Sequence, residues 1–121
     1  MEVGTGLCGS LGAWTRAGCE VWTCDTLASR CECARQVFPK ANVICGTSRE
    51  LVRACPSADI AFIDGLHNDK WVRRDFEAVR GAAPLVLFHD ATFIEAVASF
   101  CEQIGAAVLP TERGLGVWCS S

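Results

Sequence analysis

Met1-Glu2-Val3-Gly4-Thr5-Gly6-Leu7-Cys8-Gly9-Ser10 decides how this chain is read. A short apolar run, Met1–Gly4, leads straight into Gly4-x-Gly6-x-x-Gly9. Glycines at those positions let the backbone turn tightly, approach a ligand and expose free amides where a helix opens. Alone the pattern is weak, because any tight strand-to-helix turn favours glycine. Its context strengthens it: Asp25 ends the next apolar run, Val21-Trp-Thr-Cys-Asp25. A carboxylate about 20 residues after such a loop is placed to accept hydrogen bonds from ribose hydroxyls.

Outward from the loop, short apolar runs alternate with helical spacing. Strands are expected at Met1–Gly4, Glu20–Cys24, Ala41–Cys45, Asp59–Ile63, Pro84–His89, Ala106–Leu109 and Leu115–Cys119. Thr47-x-x-Glu50 is a capping box opening a short helix that stops before Pro56, and Thr92-x-x-Glu95 offers a second one. Trp71, Val72, Phe76 and Val79 mark one face of a helix from about Asn68 to Arg80. Phe93, Ile94, Val97, Phe100, Cys101 and Ile104 form the apolar stripe of the last helix. Trp71, Phe76 and the Phe93 stripe are assigned to the core, Trp14 and Trp22 to packing, and Arg73 and Arg74 to a solvated face.

Strand–helix alternation at this pitch predicts right-handed βαβ units. The fold class is therefore α/β: a Rossmann-like three-layer sandwich around a seven-stranded, mostly parallel sheet. Only Pro110–Gly114 separates the last two strands, so the final strand is expected to insert antiparallel. The chain, 121 residues, forms one domain, residues 1–121. At that length it buries roughly two-thirds of its unfolded surface without staples.

The net charge of −3 and the scattered Lys and Arg disfavour nucleic acid as a partner. No apolar run approaches the ~18–20 residues that span a bilayer, and no signal-peptide pattern opens the chain, so a cytoplasmic protein without membrane attachment is expected. The nine cysteines form no CxxC pair, which argues against a zinc knuckle, and their odd number argues against a disulfide framework. Cys24, Cys45 and Cys101 lie in apolar stretches, where a reduced thiol acts as a small hydrophobe. The pair Cys31-Glu-Cys33 fits that role least well.

Both a dinucleotide and S-adenosylmethionine carry the ribose that Asp25 would hold. A pyrophosphate on the loop would be repelled by an acid beside it, and Glu2 stands two residues before the first glycine. The sulfonium and ammonium of S-adenosylmethionine would be attracted. Charge favours the sulfonium ligand; for Glu2 the plain alternative is a solvated residue at a frayed terminus.

Three further segments complete the pattern: Val43-Ile-Cys-Gly46-Thr47-Ser48, Ala61-Phe-Ile-Asp64-Gly65-Leu-His67 and Leu85-Val-Leu-Phe-His89-Asp90. Together with the glycine loop and Asp25, they resemble the class I methyltransferases. The chain is most similar to small-molecule O-methyltransferases of the macrocin and catechol type, with their FIDG-x-H and FHD motifs, from Met1 to about Cys119.

The resemblance implies S-adenosylmethionine as cofactor and methyl transfer to a hydroxyl of a small molecule. It places Glu2, Gly4, Thr5, Gly6, Gly9 and Ser10 around the methionine part, Asp25 on the ribose, and Thr47 and Ser48 at the adenine. Asp64 falls beside both cofactor and acceptor. It also implies Mg²⁺ on Asp64 and Asp90, two hard carboxylates that would orient the hydroxyl and lower its pKa. His89 stands where some metal-dependent relatives carry another acid, a departure from full Mg²⁺ ligation. His89 or His67 would otherwise be the base, so Asp64 and His89 are the catalytic candidates.

Plainer roles exist for each: a turn cap for Asp64, an N-cap for Asp90, a surface loop for His67, and a hydrogen-bonded strand end for His89. Such relatives generally carry N-terminal helices that lid the cofactor, whereas here the glycine loop follows the third residue of the sequence. A domain lacking those lid helices is expected, with self-association as a homodimer one way to cover the exposed edges. The alternative functions are a cofactor-binding module without catalysis of its own and a nicotinamide-binding Rossmann domain.

Overall fold

Strands form at every predicted apolar run in a computed structural model that describes all 121 residues, Met1–Ser121. The order is β1 Glu2–Val3, α1 Gly9–Arg16, β2 Trp22–Asp25, α2 Ala28–Val37, β3 Asn42–Cys45, α3 Ser48–Ala54, β4 Ile60–Ile63, α4 Asp69–Val79, β5 Leu85–Phe88, α5 Glu95–Gln103, β6 Ala107–Leu109 and β7 Leu115–Cys119. They build one seven-stranded sheet in the order β3-β2-β1-β4-β5-β7-β6. The pairs among β1 to β5 are parallel, and β7 runs antiparallel to both β5 and β6. No helix is long and apolar enough to cross a membrane.

The two faces of the sheet carry different cores. Ala61 and Ile63 of β4, Val86 and Phe88 of β5 and Val3 of β1 pack beneath Leu51, Val72, Phe76, Val79, Val97 and Phe100 of α3, α4 and α5. Phe76 anchors this layer, meeting Phe88, Phe100 and Trp118 with ring centroids 5.0–5.8 Å apart. Such aromatic pairs contribute about 0.5–1.5 kcal/mol each beyond burial. On the other face a smaller cluster of Cys8, Leu11, Val21 and Ala34 lies under α1 and α2. Phe62 points to that face and meets Trp14 edge-on at 5.6 Å.

Helix starts divide into one success and one failure of local signals. Thr47 and Glu50 form the expected reciprocal box at α3, an arrangement whose loss typically costs about 1 kcal/mol. Thr92 does not cap α5. Its amide donates to the Arg113 carbonyl and that of Ala91 to Gly114, tying the segment to the β6–β7 turn. Helix α5 therefore begins at Glu95 with Ile94 as an N-cap lacking any side-chain bond. For the same reason Phe93 leaves the core: it is 62 % exposed, with the Arg113 guanidinium over its ring at 3.9 Å.

The cysteines are all free. Cys24 and Cys101 are buried as expected, with burial pushing their thiols up to about 12 and about 11. Cys45 is exposed, because β3 is an edge strand. Cys31, within the least convincing pair, is fully buried and its Sγ contacts the Asp25 carbonyl at 3.3 Å, while Cys33 is exposed.

Candidate functional site

Chain direction across the sheet reverses between β1 and β4. From β1 the chain steps outward through β2 to β3, then crosses back to β4 and continues to the other edge. In open α/β sheets a crevice forms beyond the carboxyl ends of the strands at such a switch point. Gly4, Asp25, Gly46, Asp64 and His89 are the first or last residues at those strand ends, so the sequence motifs meet there.

The glycine loop is built close to its neighbours. Gly4 adopts φ +94°, and a Cβ there would run into the carbonyl of Asp64, so the loop and the end of β4 touch backbone to backbone. Gly6 and Cys8 are also left-handed, at φ +52° and +65°. The Gly6 amide donates to Asp25 Oδ2 at 3.0 Å and the Leu27 amide to Oδ1 at 2.9 Å. Arg30 stands 3.5 Å from Oδ2.

Beneath the loop lies a buried polar chain. Glu2 accepts from Ser10 Oγ on one oxygen and from Thr23 Oγ1, 2.7 Å away, on the other. Thr23 has one proton and spends it on Glu2, so Thr5, 2.7 Å from it, must be the donor of that pair. Glu2, Thr5 and Thr23 are sealed from solvent. Burial holds the Glu2 carboxyl above its ordinary value, against the lowering effect of Ser10 and Thr23. Glu2 is thus not frayed; it is buried and supports the loop from below.

The cleft over the loop has a volume of about 390 Å³ and is lined by Gly4, Gly6, Asp25, Gly46, Thr47 and Asp64 among others. Thr47 and Ser48 differ in role from one another. Both border the cleft, but the Ser48 hydroxyl is buried and donates to Asp75 Oδ1 at 2.7 Å. Asp75 itself borders the cleft and is buried, with burial raising its pKa against the effect of Ser48. Trp71, Arg30 and Asp75 are among the lining residues that sequence reasoning missed. Trp71, by its spacing with Phe76, is predicted to take a core position. It is instead half-buried at the cleft wall, with the Arg74 guanidinium 4.5 Å over its ring. Arg74 is half-buried and reaches Thr47 Oγ1 at 3.5 Å, whereas Arg73 is exposed, as expected, and donates to Gln103 at 2.7 Å.

At the next strand ends four side chains converge. One ligating atom from each of Asp64, His67, His89 and Asp90 lies within 4.8 Å of all the others. His89 Nδ1 stands 3.0 Å from Asp64 Oδ1 and 3.2 Å from Asp90 Oδ1. His67 Nε2 stands 3.4 Å from Asp64 Oδ1 and 3.6 Å from Asp90 Oδ2. Both ring nitrogens are buried, yet neither makes an aligned hydrogen bond. The contact with Asp64 raises the His67 pKa. Burial alone would raise that of Asp90, but Arg113, whose Nε donates to Oδ1, and the two histidines bring it down. Asp90 is at φ +60° and does not cap α5.

The chain is similar in fold to several solved structures. A Staphylococcus aureus protein assigned as a caffeoyl-CoA O-methyltransferase superposes with a TM-score of 0.80 at 16% identity, covering 99% of this chain and 74% of its own. The O-methyltransferase from Bacillus cereus, solved with S-adenosylhomocysteine, gives 0.76 at 16% identity, covering 96% and 70%. M. capricolum TrmK, also solved with S-adenosylhomocysteine, gives 0.65 at 11% identity, covering 96% and 58%. No family model and no curated protein matches the chain. The sheet order, the antiparallel β7 and these superpositions together give the chain the class I S-adenosylmethionine-dependent methyltransferase fold.

Proposed function

We propose that this chain is a methyltransferase that binds S-adenosylmethionine in the cleft over the glycine loop and transfers the methyl group to a hydroxyl of a small molecule. The observation that carries this reading is the backbone contact between Gly4 and Asp64. It joins the loop that would cradle the sulfonium to the cluster that would receive the acceptor. Asp25 would take the ribose hydroxyls on lone pairs its two amide donors leave free, and Trp71 and Thr47 would flank the adenine.

Methyl transfer is an in-line displacement: the acceptor oxygen bonds to the methyl carbon as the carbon–sulfur bond breaks, leaving a neutral thioether. The hydroxyl proton must leave in the same step. His67 and His89 stand beside Asp64 to take it, and the Asp64 contact increases the affinity of His67 for that proton. Mg²⁺, implied on Asp64 and Asp90, is a poor match to this end. It seeks near-octahedral oxygen ligation, whereas two imidazole nitrogens occupy the same sphere and Arg113 holds one oxygen of Asp90. No step above depends on it.

A second reading keeps the cofactor and drops independent turnover. Leu7, Leu66 and Phe93, at the strand-end rim, are 94 %, 60 % and 62 % exposed. A partner or a second copy could complete the acceptor pocket there. A nicotinamide domain is less well supported, because dinucleotide folds run 3-2-1-4-5-6, without an antiparallel strand between β5 and β6. Calorimetry with S-adenosylmethionine, run beside an assay of S-adenosylhomocysteine release over hydroxylated acceptors, tests these readings. Binding with turnover supports the enzyme, binding without turnover the module, and saturable NADH binding in place of both would overturn the proposal.

A further inference from the structure

We propose that Asp64, His67, His89 and Asp90 form a mixed nitrogen–oxygen site for a divalent transition ion of the zinc and cobalt(II) class, selective against magnesium. Three observations carry this. First, His89 Nδ1 and His67 Nε2 stand 3.0 and 3.4 Å from Asp64 Oδ1, His67 Nε2 stands 3.6 Å from Asp90 Oδ2, and one ligating atom from each of the four residues lies within 4.8 Å of the others. Ligands about 2.0–2.1 Å from one ion stand about 3.0 Å apart at a right angle and about 3.4 Å apart in a tetrahedron. Second, His67 Nε2 and His89 Nδ1 are buried, point into the cluster and lack an aligned hydrogen bond, a costly arrangement unless something else takes their lone pairs. Third, the donor set is two imidazoles and two carboxylates. Imidazole suits borderline transition ions, while oxygen-only sets suit magnesium.

Arg113 refines the geometry. Its guanidinium binds Asp90 Oδ1 and stacks on Phe93, leaving Oδ2 as the oxygen that faces His67. Asp90 is therefore a one-oxygen ligand oriented from behind, as ligating carboxylates commonly are. The inference rests on the cluster being the acceptor end of the proposed methyltransferase. An ion there would orient a bound hydroxyl and lower its pKa so that its proton passes to solvent, and the imidazoles would then serve as ligands, their base role belonging to the metal-free protein.

The test is a titration of the metal-free full chain with Co²⁺, without cofactor, followed by competition with Zn²⁺ and Mg²⁺. The four exposed cysteines are the main rival ligands, and cobalt separates them, since thiolates add intense ultraviolet charge-transfer bands. The expected result is one equivalent of Co²⁺ with visible d–d bands and no thiolate bands. Zn²⁺ should displace it, and Mg²⁺ should fail to do so at a roughly 100-fold excess. His67→Ala and His89→Ala should each weaken binding about 10–100-fold, and His89→Asp, which keeps a polar group at the strand end, should shift preference toward Mg²⁺. Thiolate bands, equal displacement by Mg²⁺, or unchanged Co²⁺ affinity in folded histidine variants would overturn the proposal. S-adenosylmethionine calorimetry on the same sample reports the cofactor site separately, so either claim can fail alone.

Discussion

Asp25 receives the backbone amide of Gly6 on its Oδ2 at 3.0 Å, across 19 residues of sequence. One carboxylate therefore fixes the shape of the glycine loop and, in the proposed complex, would also take the ribose hydroxyls. Asp25→Ala should lose both effects. Hydrogen bonds to charged groups contribute about 1.5–3 kcal/mol each, so S-adenosylmethionine affinity is expected to fall roughly 10–100-fold. Calorimetry measures it, and faster amide exchange at Gly6 should accompany it. Unchanged affinity would remove Asp25 from the cofactor site.

Thr23 is the middle of the buried chain from Thr5 to Glu2. Thr23→Val keeps the shape of the β2 side chain but strands one carboxylate oxygen and the Thr5 hydroxyl. An unsatisfied buried polar group costs about 1–3 kcal/mol, a loss that urea unfolding would read as a lower midpoint with an unchanged slope.

Asp75 gives a pH signature. Its folded pKa is raised by burial, so the folded state holds its proton more tightly than the unfolded chain does. That contribution is fully present below the unfolded value of about 3.9 and is lost as pH rises through the folded value. Asp75→Asn can still accept from Ser48 and carries no such term. The stability of the variant relative to the parent should increase with pH across that window and then level off. A difference that is flat with pH would contradict the burial argument.

Trp71 tests the cleft wall. Stacking of a base on an aromatic side chain contributes about 1–3 kcal/mol, so Trp71→Ala should weaken S-adenosylmethionine binding, while Trp71→Phe retains most of it. Equilibrium dialysis with labelled cofactor would show the difference.

Much of this was legible in the chain because it is local. Strand runs, the Thr47–Glu50 box and the hairpin of β6 and β7 follow from spacing over a few residues, and the motif residues cluster because each ends a strand. What was not legible depends on partners distant in sequence. Thr92 lost its capping role to the turn at Arg113 and Gly114. Glu2 is held by Thr23, its register neighbour on β2, a partner 21 residues away. Trp71 shares the helical spacing of the core residues, and only the position of α4 over the switch point turns it toward the cleft. Arg113 reaches Asp90 across 23 residues, and no motif announces that pair.

The central claim is that the loop Gly4–Gly9 and Asp25 together bind an adenosyl sulfonium. Isothermal calorimetry of the full chain with S-adenosylmethionine, paired with the Asp25→Ala variant, addresses it most directly. One-to-one saturable binding with a dissociation constant below about 1 mM, within the usual range for enzyme ligands, and marked weakening in the variant are the predicted results. No heat at several-fold higher ligand, or equal binding by both proteins, would contradict it.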